Sequence, residues 1–187
     1  MKQLLDKTFF FSIRSYIVKE PKSARRNIVL LLNLTPNDRR WLSEQTTELF
    51  GAPTIVSRGV LYNLTTLRGF IAWRDDQRLG AVLYRLDEGE CELVLLFALK
   101  PWRGVGSALL QTVETKAREV GCQRIWLLTT NDNLDAIRFY QRRGYRLKAV
   151  YPNAMQRSRE LKPQIPQIGE YGIPIRDEIE LEKHIID

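Results

Sequence analysis

The sequence predicts an α/β fold with a mixed sheet. Three observations predict it. Strand-like apolar runs recur along the chain, and "RDDQ" and "DEGE" cut the middle ones apart as turns. Two amphipathic helices alternate with the later strands. Cap residues also punctuate the helices where the periodicity starts and stops. The order is β-α-(loop or helix)-β-β-β-α-β-α-β-β.

The elements follow in turn. Residues 1–25 end in "KEPKSARR" and read as an N-terminal extension without an assigned structure, leaving 26–187 as one domain. "NIVLLLNL" predicts a strand near 27–33. Thr35 is the N-cap of the next helix, Pro36 takes its first position, and Gly51 stops it. "APTIVSRGVLYNLTTLR" reads as less regular. "GFIAWRDDQRLGAVLYRLDEGECELVLLFALK" is a meander of three antiparallel strands. "GSALLQTVETKAREVG" predicts a helix from about Ser107, with Leu109, Leu110, Val113, Ala117 and Val120 at helical spacing and Gly121 just beyond. "QRIWLLTT" is a buried strand, "NLDAIRFYQRRG" a helix ending at Gly144, and "YRLKAVY" a strand. The stretch with prolines at 163, 166 and 174 predicts an ordered strap with little regular structure. "EIELEKHI" closes as a strand, with Ile179, Leu181, Lys183 and Ile185 on one face and glutamates opposite.

Composition narrows the chemistry. Among 187 residues, 44% are hydrophobic and 27% charged, ordinary for a soluble globular chain. No run approaches a membrane span, and Asp6, Lys7 and Arg14 interrupt the first apolar stretch, against a signal peptide. Cys91 and Cys122 stand in no metal or disulfide pattern, so a reducing, cytoplasmic setting is expected. The single histidine, His184, disfavours histidine-based hydrolysis and metal clusters. The net charge of +7 favours polyanionic partners, nucleic acid or a phosphorylated small molecule; no DNA- or RNA-reading motif ranks the first of these forward.

"KPWRGVGSALL" holds the chemical signal. Glycines at 104 and 106 open a helix whose first N–H groups lack internal partners, a cradle that phosphate oxygens approach without a Cβ in the way. Together with "NDNLDAIRFYQRRGY", this resembles the Gcn5-related N-acetyltransferase (GNAT) superfamily over roughly residues 28–150. The resemblance implies a largely antiparallel central sheet with helices on both faces, acetyl-CoA as co-substrate and no metal. The family's phosphate loop lands on residues 101–106, with Pro101 where a donor side chain is usual and a loop about two residues short. Arg103, Gly104, Val105, Gly106 and Ser107 would then hold the pyrophosphate, screened by Trp102. Asn133 matches the family's asparagine, with Asn131 as its rival for the cofactor contact.

Tyr140 matches the tyrosine that protonates the departing thiolate, and Glu92 the glutamate that takes the amine's proton. Glu90 shares its face and stays as the alternate base. A backbone N–H among Leu96, Phe97 and Ala98 would hold the thioester oxygen. The resemblance thus implies N-acetyl transfer to a small-molecule or protein amine by direct attack. A non-catalytic acyl-CoA-binding regulatory module is the alternative. The acceptor, self-association as a homodimer, and any contact of the strap with substrate stay open.

Overall fold

The computed structural model describes residues 30–99 and 104–185; the extension read at 1–25 lies outside them. Chain order is β1 (Leu30–Asn33), α1 (Pro36–Phe50), β2 (Thr54–Ser57), β3 (Val60–Asn63), β4 (Arg68–Arg74), β5 (Gln77–Asp87), β6 (Glu90–Ala98), α2 (Val105–Glu119), β7 (Arg124–Thr130), α3 (Leu134–Gln141), β8 (Arg146–Tyr151), α4 (Ala154–Leu161) and β9 (Glu178–His184). Seven strands form one sheet in the order β1-β4-β5-β6-β7-β9-β8, with β2 and β3 paired separately. Within the large sheet only β6 and β7 run parallel, joined by α2. The sheet is therefore mixed and largely antiparallel.

Helices cover both faces because the central strands β5, β6 and β7 bury residues on both sides. On one face, Leu93, Leu96, Ile125, Leu127 and Leu181 pack with Leu109, Leu110 and Val113 of α2 and Phe139 of α3. On the other, Ala81, Leu83, Leu95 and Phe97 pack with Leu42 and Phe50 of α1 and Met155 of α4. No helix of the described residues is long and apolar enough to cross a membrane.

Local chemistry sets the ends of α1. Thr35 and Asp38 form a reciprocal capping box, and the Gly51 N–H, at φ 77°, donates to the Thr47 carbonyl at 2.9 Å. Asp38 also accepts from Arg78 at 2.9 Å, tying the helix to β5. α3 has only eight residues, too few to persist alone. Its N-cap Asn133 and the buried Ala136, Phe139 and Tyr140 hold it.

Three regions differ from the sequence reading. Residues 54–63 form a hairpin rather than irregular chain, because Arg58 (φ 50°) and Gly59 (φ 71°) make a two-residue left-handed turn that pairs Ser57 with Val60. The strap carries a helix, α4, which buries Met155 and Ser158 before Pro163 ends its continuation. In β9 the glutamate face is the more buried one: Glu178, Glu180 and Glu182 lie under the hairpin and α4 rather than toward water.

Lys162, just after α4, is buried, and its ammonium donates to the Thr54 carbonyl at 2.7 Å. Burial lowers its pKa from 10.5 to about 8. Between those values the unfolded chain holds more protons than the folded one, so this group's contribution to stability rises with pH from about 8 to 10.5. Urea denaturation across that range should show wild type gaining on the order of 2 kcal/mol relative to Lys162→Met. Parallel curves for the two proteins would refute the assignment.

Candidate active site

The site begins where two parallel strands separate. β6 and β7 pair only through Glu90–Arg124, Cys91–Ile125 and Glu92–Trp126. Beyond these the strands diverge, and a fork opens toward the β6–α2 connection.

A bulge shapes the β6 side of this fork. Leu83 faces Leu95 and Tyr84 faces Leu93, leaving Val94 extra on β6. The Leu99 N–H donates to Leu79 at 2.8 Å. By the alternation of an antiparallel ladder, Phe97–Ala81 is then also a bonded pair. The N–H of Phe97 is therefore directed to β5, whereas those of Leu96 and Ala98 turn into the fork. Of the three residues expected to hold a thioester oxygen, Leu96 and Ala98 have the geometry for it.

α2 starts at the open end of the fork. Gly104 is its N-cap at φ 91°, with no side-chain cap on the first N–H groups. Arg103, Pro101 and Trp102 lie outside the described residues. Val105 is buried in the core beneath the turn. The Ser107 hydroxyl accepts from Arg143, whose guanidinium also lies 3.5 Å from the centre of the Phe139 ring and donates to the Phe139 carbonyl at 2.8 Å. Arg143 thus joins the end of α3 to the start of α2.

Tyr140 is wholly buried among Phe139, Tyr145 and the apolar face of α2, and its hydroxyl has no hydrogen-bond partner among the described residues. Burial raises its pKa well above 10, so it stays protonated. Thr130 Oγ1 and Asp132 Oδ1, at and just past the end of β7, are also buried without partners among the described residues. Buried polar atoms normally find partners, and Tyr145 Oη shares this condition.

The two asparagines divide their work. Asn133 caps α3 by accepting from the Ala136 N–H at 3.1 Å. Asn131 holds the strap instead of facing the fork: its amide donates to the Pro174 carbonyl, and its carbonyl accepts from the N–H groups of Arg176 and Asp177, each at 2.9 Å. Both ends of its side-chain amide are thus engaged with the strap.

Both candidate bases face the hairpin side, as strand alternation requires, but their surroundings differ. Glu90 makes a bidentate pair with Arg124, at 2.7 and 3.0 Å, which pulls its pKa down. Glu92 stands at the apex of the fork, buried, accepting from Ser57 at 2.6 Å and Tyr62 at 3.5 Å, with Arg85 at 3.6 Å. Burial raises its pKa against the opposing effect of those donors. Glu92 is the better base of the two. Ser57, Arg58, Tyr62 and Arg85 went unrecognised in the sequence, because the hairpin carrying the first three turns on Arg58–Gly59 rather than on an Asn-Gly or Asp-Gly pair. No group of three potential metal ligands lies together among the described residues.

A largely antiparallel sheet that splits between its two parallel strands, with a glycine-started helix at the mouth of the split, defines a class of acyl-group transferase folds. The acetyltransferase (GNAT) family model matches residues 37–145, and the chain belongs to that family. It is 40% identical over 159 residues to the uncharacterised protein YdhI of Bacillus subtilis, covering 83% of this chain and 99% of that one. A GNAT family acetyltransferase from Elizabethkingia anophelis, solved with acetyl-CoA bound, matches with a TM-score of 0.64 and 21% identity over 86% of this chain and 99% of its own. A Bacillus subtilis acetyltransferase in complex with CoA gives 0.63 and 19% over 86% and 100%.

The two glycines of the turn should respond differently to a methyl group. At Gly104 the Cβ meets nothing within 4 Å, yet φ is left-handed, so Gly104→Ala should destabilise by about 1 kcal/mol. At Gly106 the Cβ would sit 3.5 Å from the Phe139 ring in ordinary contact, so Gly106→Ala should be neutral or slightly stabilising. Equilibrium unfolding of both variants checks the contrast.

Proposed function

We propose that the protein transfers the acetyl group of acetyl-CoA to an amine by direct attack, with Glu92 as proton acceptor and Tyr140 as proton donor. The observation that carries this reading is the fork: it opens immediately past Glu92, and the apolar core on one of its faces holds an unpartnered tyrosine hydroxyl.

The residues divide the chemistry as follows. The N–H groups at the start of α2, from Gly104 to Ser107, with Arg103, bind the diphosphate of the co-substrate. The N–H groups of Leu96 and Ala98 lie where charge develops on the thioester oxygen. An alkylamine is protonated at neutral pH, so Glu92 takes one proton, directly or through the Ser57 and Tyr62 hydroxyls that contact it. The neutral nitrogen forms the C–N bond, and the C–S bond breaks. Tyr140 gives its proton to the sulfur, whose thiolate is a stronger base when buried. The second proton lost by nitrogen restores the tyrosine hydroxyl. Asn133 sets the helix that carries Tyr140. We further place the chain in a reducing compartment, a reading supported by the two cysteines, both buried free thiols.

Acetyl-CoA at a hundredfold excess over its Kd should stabilise the fold by about 2.7 kcal/mol, read as a rise in Tm, whereas adenine alone should not. No shift at millimolar acetyl-CoA would overturn the reading. With an acceptor in hand, Tyr140→Phe should lower kcat about 100-fold while leaving acetyl-CoA affinity near wild type. The rate should fall on acidification through the raised pKa of Glu92, above the ordinary carboxylate range, and Glu92→Gln should abolish that limb of the profile. Thiol release at an undiminished rate in both variants would show that neither residue carries the proton transfers.

A further inference from the structure

A cavity of about 480 Å³ lies beside the open part of the fork, within the size range of small-molecule sites. Arg58 and Gly59 of the hairpin turn, Tyr151 at the end of β8, Ala154, Arg157 and Ser158 of α4, and Glu178 at the start of β9 line it. Its position follows from register. Glu178 stands opposite Thr130 on β7 and Tyr151 on β8, and Glu180 opposite Leu128. Thr130 and Leu128 belong to the stretch of β7 that has left β6, one strand spacing of about 4.8 Å away. The cavity therefore adjoins the part of the fork into which Leu96 and Ala98 point their N–H groups.

Its charges are unevenly neutralised. The Arg58 guanidinium is committed: it donates to Glu180 at 2.6 Å and lies 4.1 Å over the Trp126 ring. Glu180 also accepts from Tyr151 and from Arg124. Glu178 is different. Only 6% of it is exposed, it makes no ion pair among the described residues, and its partner is the Ser158 hydroxyl at 3.3 Å. Across the cavity, Arg157 is exposed, has no ion-pair or hydrogen-bond partner among the described residues, and lies over Gly59, where any Cβ would stand 3.2 Å from its Nε. A lightly partnered buried carboxylate and a guanidinium unpaired among the described residues thus line one open cavity. Burial raises the Glu178 pKa, the mark of a carboxylate short of a cationic partner. The turn is strained in the same place, since Arg58 holds a left-handed conformation uncommon for a residue with a side chain.

We propose that this cavity binds the acyl acceptor and that the acceptor is a small dipolar amine, its ammonium on Glu178 and an attached carboxylate or phosphate on Arg157. This rests on the acetyl-transfer reading above. Glu178 binds the amine, and Glu92 remains the group that takes its proton. The glutamate row of β9 is then an acceptor-side feature, and the strap contributes through α4.

The test is thiol release from acetyl-CoA over matched pairs: free amino acids against their amides, and aminoalkyl phosphates against the corresponding amino alcohols. The amine of an amino acid amide is also the less basic, so the Arg157→Gln variant is what separates the contribution of the anion from that of amine basicity. The expected result is kcat/KM at least tenfold higher for the anionic member of a pair, with the two arms telling carboxylate from phosphate. Arg157→Gln should bring that ratio to near one, chiefly through KM. Glu178→Gln should raise the amine KM tenfold or more with the Kd for CoA unchanged, which also shows that the variant folds. CoA binding without turnover or binding of any anionic amine, or an acid-to-amide ratio unaffected by Arg157→Gln, overturns this proposal and leaves the donor-side reading standing. Failure of CoA itself to bind overturns both.

Discussion

Arg124 is the side chain on which the geometry of the site depends. It stands at the first residue of β7, makes a bidentate pair with Glu90 on β6, and reaches Glu182 at 2.7 Å and Glu180 at 3.3 Å on β9. Three strands are thereby fastened at one end by a single guanidinium, whose pKa the Glu90 hydrogen bonds raise further. At the other end β6 and β7 share no ladder. A split in a sheet leaves N–H and C=O groups unpaired, which is unfavourable unless something else satisfies them. With the closed end fixed, the opening falls past Glu92 instead of migrating along the strands. Losing the Arg124 charge would also strand several carboxylates, a larger penalty than losing one exposed pair.

The carboxylates of that cluster are not a stability device. Burying an ion pair seldom gains over well-packed apolar side chains. Yet Glu92, Glu178, Glu180 and Glu182 are all buried on the hairpin face. The cationic and hydroxyl partners come from distant parts of the chain: Ser57 and Arg58 from the hairpin, Arg85 from β5, Lys148 and Tyr151 from β8. Glu180 and Glu182 are well supplied, whereas Glu92 and Glu178 keep raised pKa values. The same row thus separates into carboxylates that brace strands and carboxylates left able to receive a proton or a cation.

Much of the fold could be read from the residues because its signals are local. The capping box at Thr35, the left-handed glycines at 51 and 121, and the 3.6-residue spacing of Leu109, Leu110, Val113 and Ala117 each lie within a few turns of chain. The Asn133 cap and the helix carrying Tyr140 were legible for the same reason. What could not be read is non-local. Nothing near Glu178 in sequence says that α4 will cover it, and alternation in "EIELEKHI" distinguishes two faces without saying which is buried. The hairpin went unread because Arg58 occupies a left-handed position where asparagine or glycine is the usual cue. Asn131 and Asn133 look alike in sequence. Only the path of the strap gives the first to Pro174, Arg176 and Asp177 and the second to α3.

This division between local and non-local features separates the two substrates. The proposed donor side is built from backbone: the first N–H groups of α2, the N–H groups of Leu96 and Ala98, and a bulge at Val94 that sets their phase. Backbone groups depend little on side-chain identity, so a pattern such as "RGVG" suffices to mark them. The acceptor side is built from side chains on a hairpin turn, a short helix and the last strand, all meeting on the face opposite α2 and α3. A substitution at Arg157 alters the charge of that cavity without touching the fork or the turn at Gly104. A fold arranged this way would hold one donor fixed while its acceptor changes with a few side chains of the proposed cavity. That separation is why the chemistry of the donor is legible in short motifs while the identity of the acceptor is carried by tertiary structure.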